Sequence, residues 1–329
     1  MYSPQAKVMA EKLRLTMGRA NLEEFADTLL TIARTNRNVL AVTSDSRGSG
    51  KLGPFAQALP DQIVELGIAE QNLVGVAAGL SSAGKLVFAV SPACFLTARA
   101  LEQVKNDVAY SEMPVKLVGI SAGVSYGALG STHHSLHDLA ALRAINNIDI
   151  VVPADNFETR EIIRQSAGRK IPTYIRFGKA PIFNLSAANP SFELGKSRTL
   201  REGTDVAFIA TGETVIHALL AAGALHESGL SARVISMHTI KPLDLQTVIK
   251  AGRECRALIT VEEHSVFGGL GEACAATLMQ AAISLPFQIA AFPDEHTVTG
   301  SQADIFRHYG ISMEGLAGRA QTLLRHNTQ

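Results

Sequence analysis

The stretch Gly67-Ile68-Ala69-Glu70-Gln71-Asn72 is the most informative part of this chain, because it joins a short strand to an Ala- and Gly-rich helix. The strand pattern covers residues 62–66, and residues 73–80 carry almost no polar side chain. A helix that is apolar all round is predicted to be buried. Glu70 then needs a partner, since an unpaired carboxylate is costly to remove from water. Two interpretations stay open: complementing the helix dipole, or serving a function.

Strand and helix patterns alternate on both sides of this stretch, which predicts an α/β fold with two doubly wound open sheets, each mostly parallel. The first series has buried strands at 38–43, 62–66, 86–90, 115–120, 149–152 and 173–176, with helices at 21–35, 97–109, 136–144 and 157–167. The second has strands at 205–210, 232–236, 256–261 and 287–291, with helices at 215–226, 271–279 and 313–324. The segment 180–194 carries Pro, Asn and Ser without a period, so we predict a linker between domains at 1–185 and 195–329.

Composition excludes several classes of function. The chain has 329 residues, of which 47% are hydrophobic, and its 30 basic and 30 acidic side chains give a formal net charge of +0. This balance does not favour binding to nucleic acid or to a membrane surface. Three widely spaced cysteines, Cys94, Cys255 and Cys274, form neither a disulfide framework nor a zinc pattern. With no signal-peptide pattern at the start, we expect a cytoplasmic protein.

Five informative side chains fall where predicted strands end, and in open α/β sheets ligands bind at the carboxyl ends of strands. They are Asp45, Glu70, Phe95, Ser121 and Arg176. Their common position predicts a site along one edge of the first sheet.

The densest polar cluster lies at residues 130–138, with the sequence GSTHHSLHD. His133 and His137 would share a face of a helix, as metal ligands at i and i+4 do. The Glu that follows the first His in zinc proteases is missing, so we predict no metal site. A histidine capping the next helix and a histidine facing substrate both remain open.

Several segments, in chain order, resemble the C-terminal half of transketolase, or the B subunit of a transketolase split in two. They are GIAEQN at 67–72, FAVSPACFLTARALEQVKNDVAY at 88–110, GSTHHSLHDLAALRAINNIDIVVPAD at 130–155, PTYIRFGK at 172–179, GETVIHALLAA at 212–222, IKPLD at 240–244 and ITVEEHSVFGGLGEA at 259–273. Together they span nearly the whole chain. The resemblance implies a pyrimidine-binding domain followed by a transketolase C-terminal domain.

The resemblance also implies thiamine diphosphate as cofactor, with sugars as small-molecule substrates. Glu70 matches the glutamate that hydrogen-bonds N1′ of the aminopyrimidine and so promotes formation of the imino group that acts as base. For this purpose the carboxyl must share or donate a proton, which withdrawal from water favours and the helix N-terminus opposes; we expect withdrawal from water to dominate. The cofactor supplies the carbanion chemistry, and the protein supplies orientation and proton control.

The other site residues are carried over from the same resemblance. Phe95 matches the aromatic residue that stacks on the pyrimidine, and Asp45 matches an acidic residue near the cofactor. His133 matches a catalytic histidine that contacts substrate. Arg176 matches the arginine that binds the phosphate of a sugar phosphate, a task that suits its guanidinium fork. Ile68 and Leu117 are expected to line the core.

Two positions depart from the family pattern. The aspartate that contacts a substrate hydroxyl would fall near Leu129, and a histidine expected after VKLVG is replaced by Ser121, which keeps a place in the predicted substrate site. A hydroxyl left unpaired opposite Leu129 costs about 1–3 kcal/mol, enough to change the choice of substrate. The sequence therefore does not define the donor and acceptor sugars.

The family binds the diphosphate through Mg²⁺ with a Gly-Asp-Gly motif, and these 329 residues contain no such motif. We therefore expect a transketolase N-terminal-type A subunit to hold Mg²⁺ and the diphosphate, in an α2β2 assembly. Transfer of a two-carbon ketol unit is the leading hypothesis. The β subunit of a 2-oxo acid dehydrogenase E1 component and a deoxyxylulose-phosphate synthase type of activity are the alternatives. A non-enzymatic partner is disfavoured because Glu70, Phe95, His133 and Arg176 are all present.

Overall fold

The chain forms two α/β units, each with helices on both faces of a mostly parallel sheet, which confirms the predicted fold class. The structure is a computed structural model, and it describes residues 2–185 and 191–325. The buried strands are short, nearly continuous apolar runs such as Val39–Thr43, the composition expected of parallel strands covered on both faces.

The first sheet has seven strands in the order β12-β6-β7-β5-β4-β2-β3. Their bounds are β2 Val39–Thr43, β3 Ile63–Glu65, β4 Leu86–Pro92, β5 Lys116–Ile120, β6 Asp149–Val151, β7 Thr173–Arg176 and β12 Thr239–Lys241. All are parallel except β12, which pairs antiparallel with β6. A separate pair joins β1 Met17–Ala20 to β8 Pro181–Phe183. The carboxyl ends of β2 to β7 therefore lie along one edge.

The helices of the first unit are α1 Pro4–Lys12, α2 Asn21–Thr35, α3 Gly53–Ala58, α4 Glu70–Ser82, α5 Ala93–Ala98, α6 Leu101–Gln103, α7 Asp138–Arg143 and α8 Asn156–Ala167. The single helix predicted at 97–109 is instead divided, and it ends in a wide π-helical segment, Val104–Tyr110. Near the break the Thr97 hydroxyl donates to Ala93 O, a back-bond that bends helices.

The second unit has five strands in the order β14-β13-β10-β11-β9, parallel except for β9. The strands are β9 Arg198–Arg201, β10 Val206–Ala210, β11 Ala232–Ser236, β13 Ala257–Ser265 and β14 Phe287–Phe292. The helices are α9 Thr214–Glu227, α10 Leu245–Glu254, α11 Leu270–Gln280, α12 Gln302–His308 and α13 Met313–Arg325. None of the helices in the described ranges is long and apolar enough to span a bilayer.

The two units share a continuous core. One cluster of buried side chains contains Leu73 and Leu117 of the first unit together with Ile209 and Val248 of the second. Strand β12 of the second unit also extends the first sheet. The predicted linker 180–194 contains β8, and its residues 186–190 lie outside the described residues. The relative position of the two units is thus set by sheet pairing as well as by packing.

The helix after the opening motif is only half covered. In α4, Leu73, Val74, Ala77 and Ala78 are buried, whereas Gln71, Asn72 and Gly79 are exposed. The prediction of a fully buried helix is therefore wrong for the single chain. Leu117 is buried as expected, but Ile68 is 74% exposed, so its predicted place in the core is also wrong. A motif predicted to be internal instead presents an apolar side chain at the surface.

Candidate active site

The loop before Glu70 owes its shape to one glycine and one carboxylate. Gly67 has a φ of 71°, in the left-handed region that glycine adopts without strain. Glu65 Oε1 accepts hydrogen bonds from the backbone amides of Gly67 at 3.1 Å and Asp45 at 2.6 Å, which joins the ends of β3 and β2. The chain therefore turns sharply and begins α4 at Glu70.

Glu70 is buried at the N-terminus of α4, with only 2% of its surface exposed. Arg99 Nη1 donates to Glu70 Oε2 at 2.7 Å, and the Arg99 side chain is 48% exposed. The carboxylate is thus enclosed by the protein, while the guanidinium that pairs with it reaches solvent. Such a half-buried ion pair holds the carboxylate in place at one open side of the site.

The same guanidinium covers the ring of Phe95. Arg99 Cζ lies 4.6 Å from the ring centroid, a cation–π distance. Phe95 also meets His133 in an edge-to-face contact, with the two ring centroids 5.3 Å apart. Phe95 is half-buried, so it offers an aromatic face beside the Glu70 carboxyl.

The row of ring and cation contacts continues beyond His133. The ring of Tyr126 lies 5.4 Å from that of His133, and Lys179 Nζ lies 4.7 Å from the Tyr126 centroid. Burial raises the pKa of Tyr126, so the phenol stays protonated. Lys179 is exposed and follows β7 by three residues. We name the row Glu70, Arg99, Phe95, His133, Tyr126 and Lys179 the edge row.

The edge row fits the aminopyrimidine of thiamine diphosphate. A flat guanidinium rests on Phe95 and at the same time hydrogen-bonds Glu70, so the space over this ring accepts a flat polar group within reach of the carboxyl. An aminopyrimidine has the same two requirements, an aromatic face and an in-plane hydrogen bond. The residues of this chain could therefore hold the ring of the cofactor.

Two further predicted residues lie at the same sheet edge but outside the edge row. Asp45 is exposed and has a φ of 54°, and its backbone amide donates to Glu65 Oε1. Ser121 is buried at the end of β5 with a φ of 53° and adjoins Tyr126. The Ser121 hydroxyl makes no hydrogen bond within the described residues, and its predicted role in the substrate site stays a prediction.

Arg176 does not face the site, contrary to prediction. Its Nε donates to Asp138 Oδ2 at 2.7 Å, and its Nη2 donates to the carbonyls of Ser135 at 3.0 Å and Glu263 at 2.8 Å. Tyr174 Oη donates to the same Asp138 oxygen at 2.7 Å. Arg176 is buried, and in this structure its Nε and Nη2 are engaged by groups of the two units and not by a substrate phosphate. Lys179, three residues later in the same PTYIRFGK segment, is an exposed cation at this edge that the sequence analysis did not single out.

The histidine-rich segment forms no metal site. His137 Nε2 contacts Thr97 Oγ1 at 3.3 Å, and His134 Nδ1 contacts Thr297 Oγ1 at 2.9 Å. Within residues 2–185 and 191–325 no group of three or more His, Cys, Asp or Glu side chains is arranged to hold a metal ion. His134 and His137 therefore bind neighbouring segments, and His133 is the histidine that joins the edge row.

The second unit fixes the loop that carries Tyr126 and His133. His134 Nε2 contacts Gly127 O at 3.0 Å within the loop, and Thr297 holds the other ring nitrogen. Gly127 has a φ of 49°, and a Cβ there would lie 2.4 Å from Gly300 O of the second unit. Because this approach excludes any side chain, the loop is pressed directly against the second unit.

Two buried carboxyl groups, those of Glu213 and Glu263, lie beside the backbone at Gly178 and at Val124. Gln302 Nε2 donates to Glu263 Oε1 at 2.9 Å and to Glu213 Oε2 at 3.1 Å, and Glu263 Oε1 also accepts from Val124 N at 2.9 Å. Glu213 packs on Gly178, where a Cβ would come within 2.0 Å of its Oε1. The pair thus supports the start of the Tyr126 loop and the backbone next to Lys179.

Burial dominates the titration of this pair. It raises the pKa of Glu213 to about 8, helped by the neighbouring Glu263, and it raises the pKa of Glu263 although Arg176 opposes the shift. The pair therefore holds a proton at neutral pH, because two ionised carboxylates buried side by side would repel each other.

Family models and known proteins resemble this chain over nearly its whole length. The model described as "Transketolase, pyrimidine binding domain" matches residues 19–182, and "Transketolase, C-terminal domain" matches residues 195–316. A solved structure titled "Split gene transketolase, inactive beta4 tetramer" superposes with a TM-score of 0.83 at 34% identity, covering 94% of this chain and 99% of that one.

Two similar relatives are named as transketolase subunits, and a third is named as a synthase. The B subunit of an apulose-4-phosphate transketolase from Phocaeicola vulgatus is 49% identical over 91% of this chain and 95% of the relative. A 6-deoxy-6-sulfo-D-fructose transketolase subunit from a Clostridium species is 36% identical over 78% of this chain and 80% of the relative. A 1-deoxy-D-xylulose-5-phosphate synthase from Thermomicrobium roseum is 36% identical over 91% of this chain, which covers 48% of that longer protein.

The buried carboxyl pair predicts a pH dependence of stability. A carboxyl whose pKa is raised in the folded state binds more protons there than in the unfolded chain, so its contribution to stability falls as the pH rises toward about 8. We expect Glu213→Gln to remove this loss. Between pH 6.5 and 8 the free energy of unfolding of the wild type should fall relative to the variant, by at most about 2 kcal/mol.

Urea unfolding at each pH measures this difference, and the exposed Glu11→Gln is the matched control. Parallel pH profiles of the wild type and Glu213→Gln would contradict the shared proton.

Proposed function

This chain belongs to the transketolase family, and on that premise we propose that it is the B subunit of a split transketolase. In this proposal it transfers a two-carbon ketol unit from a ketose to an aldose with thiamine diphosphate, which supplies the carbanion chemistry when bound. The observation that carries the proposal is the pairing of a buried Glu70 with the open face of Phe95. Glu70 would hold a proton at N1′ of the aminopyrimidine, and Phe95 would orient its ring.

A partner polypeptide is required in this proposal. Neither the Gly-Asp-Gly motif nor, among the described residues, a cluster suited to a metal ion is found here. An A subunit of transketolase N-terminal type would hold Mg²⁺ and the diphosphate, and α2β2 is the arrangement we propose. The exposed Ile68, two residues before Glu70, and the open face of α4 support this, since a partner docked there would cover them and close the cofactor site.

The substrates are proposed to be sugars that carry an anionic group. Lys179 is an exposed cation at the end of the edge row opposite to Glu70, and His133 lies between it and Phe95. An anionic group bound by Lys179 would leave the carbonyl end of a sugar near His133, which would orient it by hydrogen bonding. The names of relatives that act on a sugar phosphate and on a sulfo-sugar support this class.

Deoxyxylulose-phosphate synthase activity is the alternative. It is favoured by relatives that carry this name and are about twice as long as this chain. Identifying the product with pyruvate and with a ketose as donor separates the two activities. If the reconstituted complex released CO₂ from pyruvate, this result would contradict ketol transfer and favour the synthase activity.

Removing the Glu70 carboxyl tests the cofactor role. We expect Glu70→Ala, co-expressed with the A subunit that the proposal requires, to assemble normally and to lose ketol transfer by at least about a thousandfold, because the N1′ contact is lost. Coupled assays measure the rate, and the exposed Glu11→Ala on α1 is the control. Wild-type turnover in Glu70→Ala, or ketol transfer by this chain purified alone, would refute the proposal.

The docking face is tested at Ile68. We expect Ile68→Asp to weaken association with the A subunit by at least about tenfold, since a charge would replace an apolar contact. Sedimentation velocity on mixtures of the two polypeptides measures this. Met279→Asp is the control, because Met279 is comparably exposed, at 79%, but lies on α11 of the second unit. Equal association of the two variants would place the interface elsewhere.

Lys179 is tested through substrate preference. Lys179→Met should lower kcat/KM for a phosphorylated donor by about tenfold to a hundredfold, the usual effect of losing a charged hydrogen bond. The same variant should leave the rate with a neutral ketose nearly unchanged. An equal loss with both donors would show that Lys179 acts through the fold and not through the anionic group.

A further inference from the structure

We propose that Arg99 is a gate: in the free chain its guanidinium occupies the place of the cofactor's aminopyrimidine, and it must swing out before the ring can bind. This inference rests on the proposed function. Two contacts carry it, the hydrogen bond from Arg99 Nη1 to Glu70 Oε2 at 2.7 Å and the stacking of Arg99 Cζ over Phe95 at 4.6 Å. These are the two side chains that would otherwise contact the pyrimidine.

The two contacts cannot coexist with a bound pyrimidine on the same face. A flat ring stacked on Phe95 requires the volume that the guanidinium fills. A ring nitrogen that is hydrogen-bonded to Glu70 Oε2 over the Phe95 ring would need the position that Arg99 Nη1 holds. Cofactor binding on this face and the Arg99 contacts are therefore alternatives.

Arg99, and not Glu70, is the partner that is free to move. Glu70 is 2% exposed and starts a helix that is packed into the shared core, whereas the Arg99 side chain is 48% exposed. Arg99 is the C-cap residue of α5, and its backbone amide donates to Phe95 O at 2.9 Å, so the backbone is held while the side chain is exposed. The long side chain can therefore rotate into solvent without disturbing the backbone that carries Glu70 and Phe95.

The gate has a function in an enzyme that is divided into two chains. A buried carboxylate without a partner is strongly unfavourable, and the free chain has no cofactor to pair with Glu70. Arg99 supplies that partner until the cofactor arrives. The cost appears as weaker cofactor binding, because the apparent dissociation constant rises as the fraction of open sites falls.

The test compares cofactor affinity in the complex with stability of the free chain. Isothermal titration of thiamine diphosphate with Mg²⁺ into the reconstituted complex should give a dissociation constant about threefold to tenfold lower for Arg99→Ala and Arg99→Gln than for the wild type. The free chain of Arg99→Ala should melt several degrees lower than the wild type, because Glu70 loses its partner. Lys105→Ala, which removes an exposed cation shortly after Arg99, is the control and should change neither quantity.

The opposite signs distinguish the gate from other roles. If Arg99 merely supported the fold, its replacement would weaken cofactor binding and lower the melting temperature of the free chain. If Arg99 helped to hold the cofactor, its replacement would raise the dissociation constant. Unchanged or weaker binding in both Arg99 variants would therefore overturn the gate alone. Failure of the wild-type complex to bind thiamine diphosphate would overturn the proposed function together with it.

Discussion

The arrangement of the site depends on one buried ion pair, between Arg176 at the end of β7 and Asp138 at the start of α7. Burial alone would raise the pKa of Asp138, but Arg176 and His264 lower it, so the aspartate stays ionised. The Nη2 group of Arg176 also donates to one carbonyl from each unit. Losing either partner would leave a buried charge unpaired, a change that destabilises proteins by about 3–5 kcal/mol. This pair joins the first sheet, the histidine-rich loop and the second unit at a single point.

A consequence is that the second unit takes part in the site without contributing a side chain to the edge row. Thr297, Gly300 and Glu263 hold the loop that carries Tyr126 and His133, and Glu213 packs against the backbone beside Lys179. The proton shared by the carboxyl pair therefore lies directly beneath both segments that would meet the substrate. These contacts join the two units and also hold the segments that would position the substrate. A change in them would therefore affect both.

The sequence defines the two sheets because buried parallel strands are continuous apolar runs, and it locates the edge because five polar or aromatic residues follow such runs. It also singles out Glu70, Phe95 and His133, which the structure brings into one row. It misassigns Arg176, because a local pattern cannot show which distant residues the guanidinium binds. These are Asp138, 38 positions earlier, and the carbonyl of Glu263, 87 positions later. Strand β12 was also unpredictable, since a second-unit segment that completes the first sheet carries no local sign of its partner. Arg99 escaped notice for the same reason: only the fold places it over Phe95.

Glu70 illustrates why the division into two chains imposes a physical requirement on each. Burial gives a carboxyl the environment for proton control, yet the same burial is unfavourable whenever its ligand is absent. In a single long chain, the other residues of the cofactor site are covalently linked to Glu70 and stay close to it. In this chain Ile68 and one face of α4 are exposed beside Glu70, where the partner that we propose would dock. A cation that reaches the carboxylate from solvent, such as Arg99, satisfies it without filling the site permanently. The opening motif is thus both the chemical centre of the proposed enzyme and the part of the chain that most needs a temporary partner.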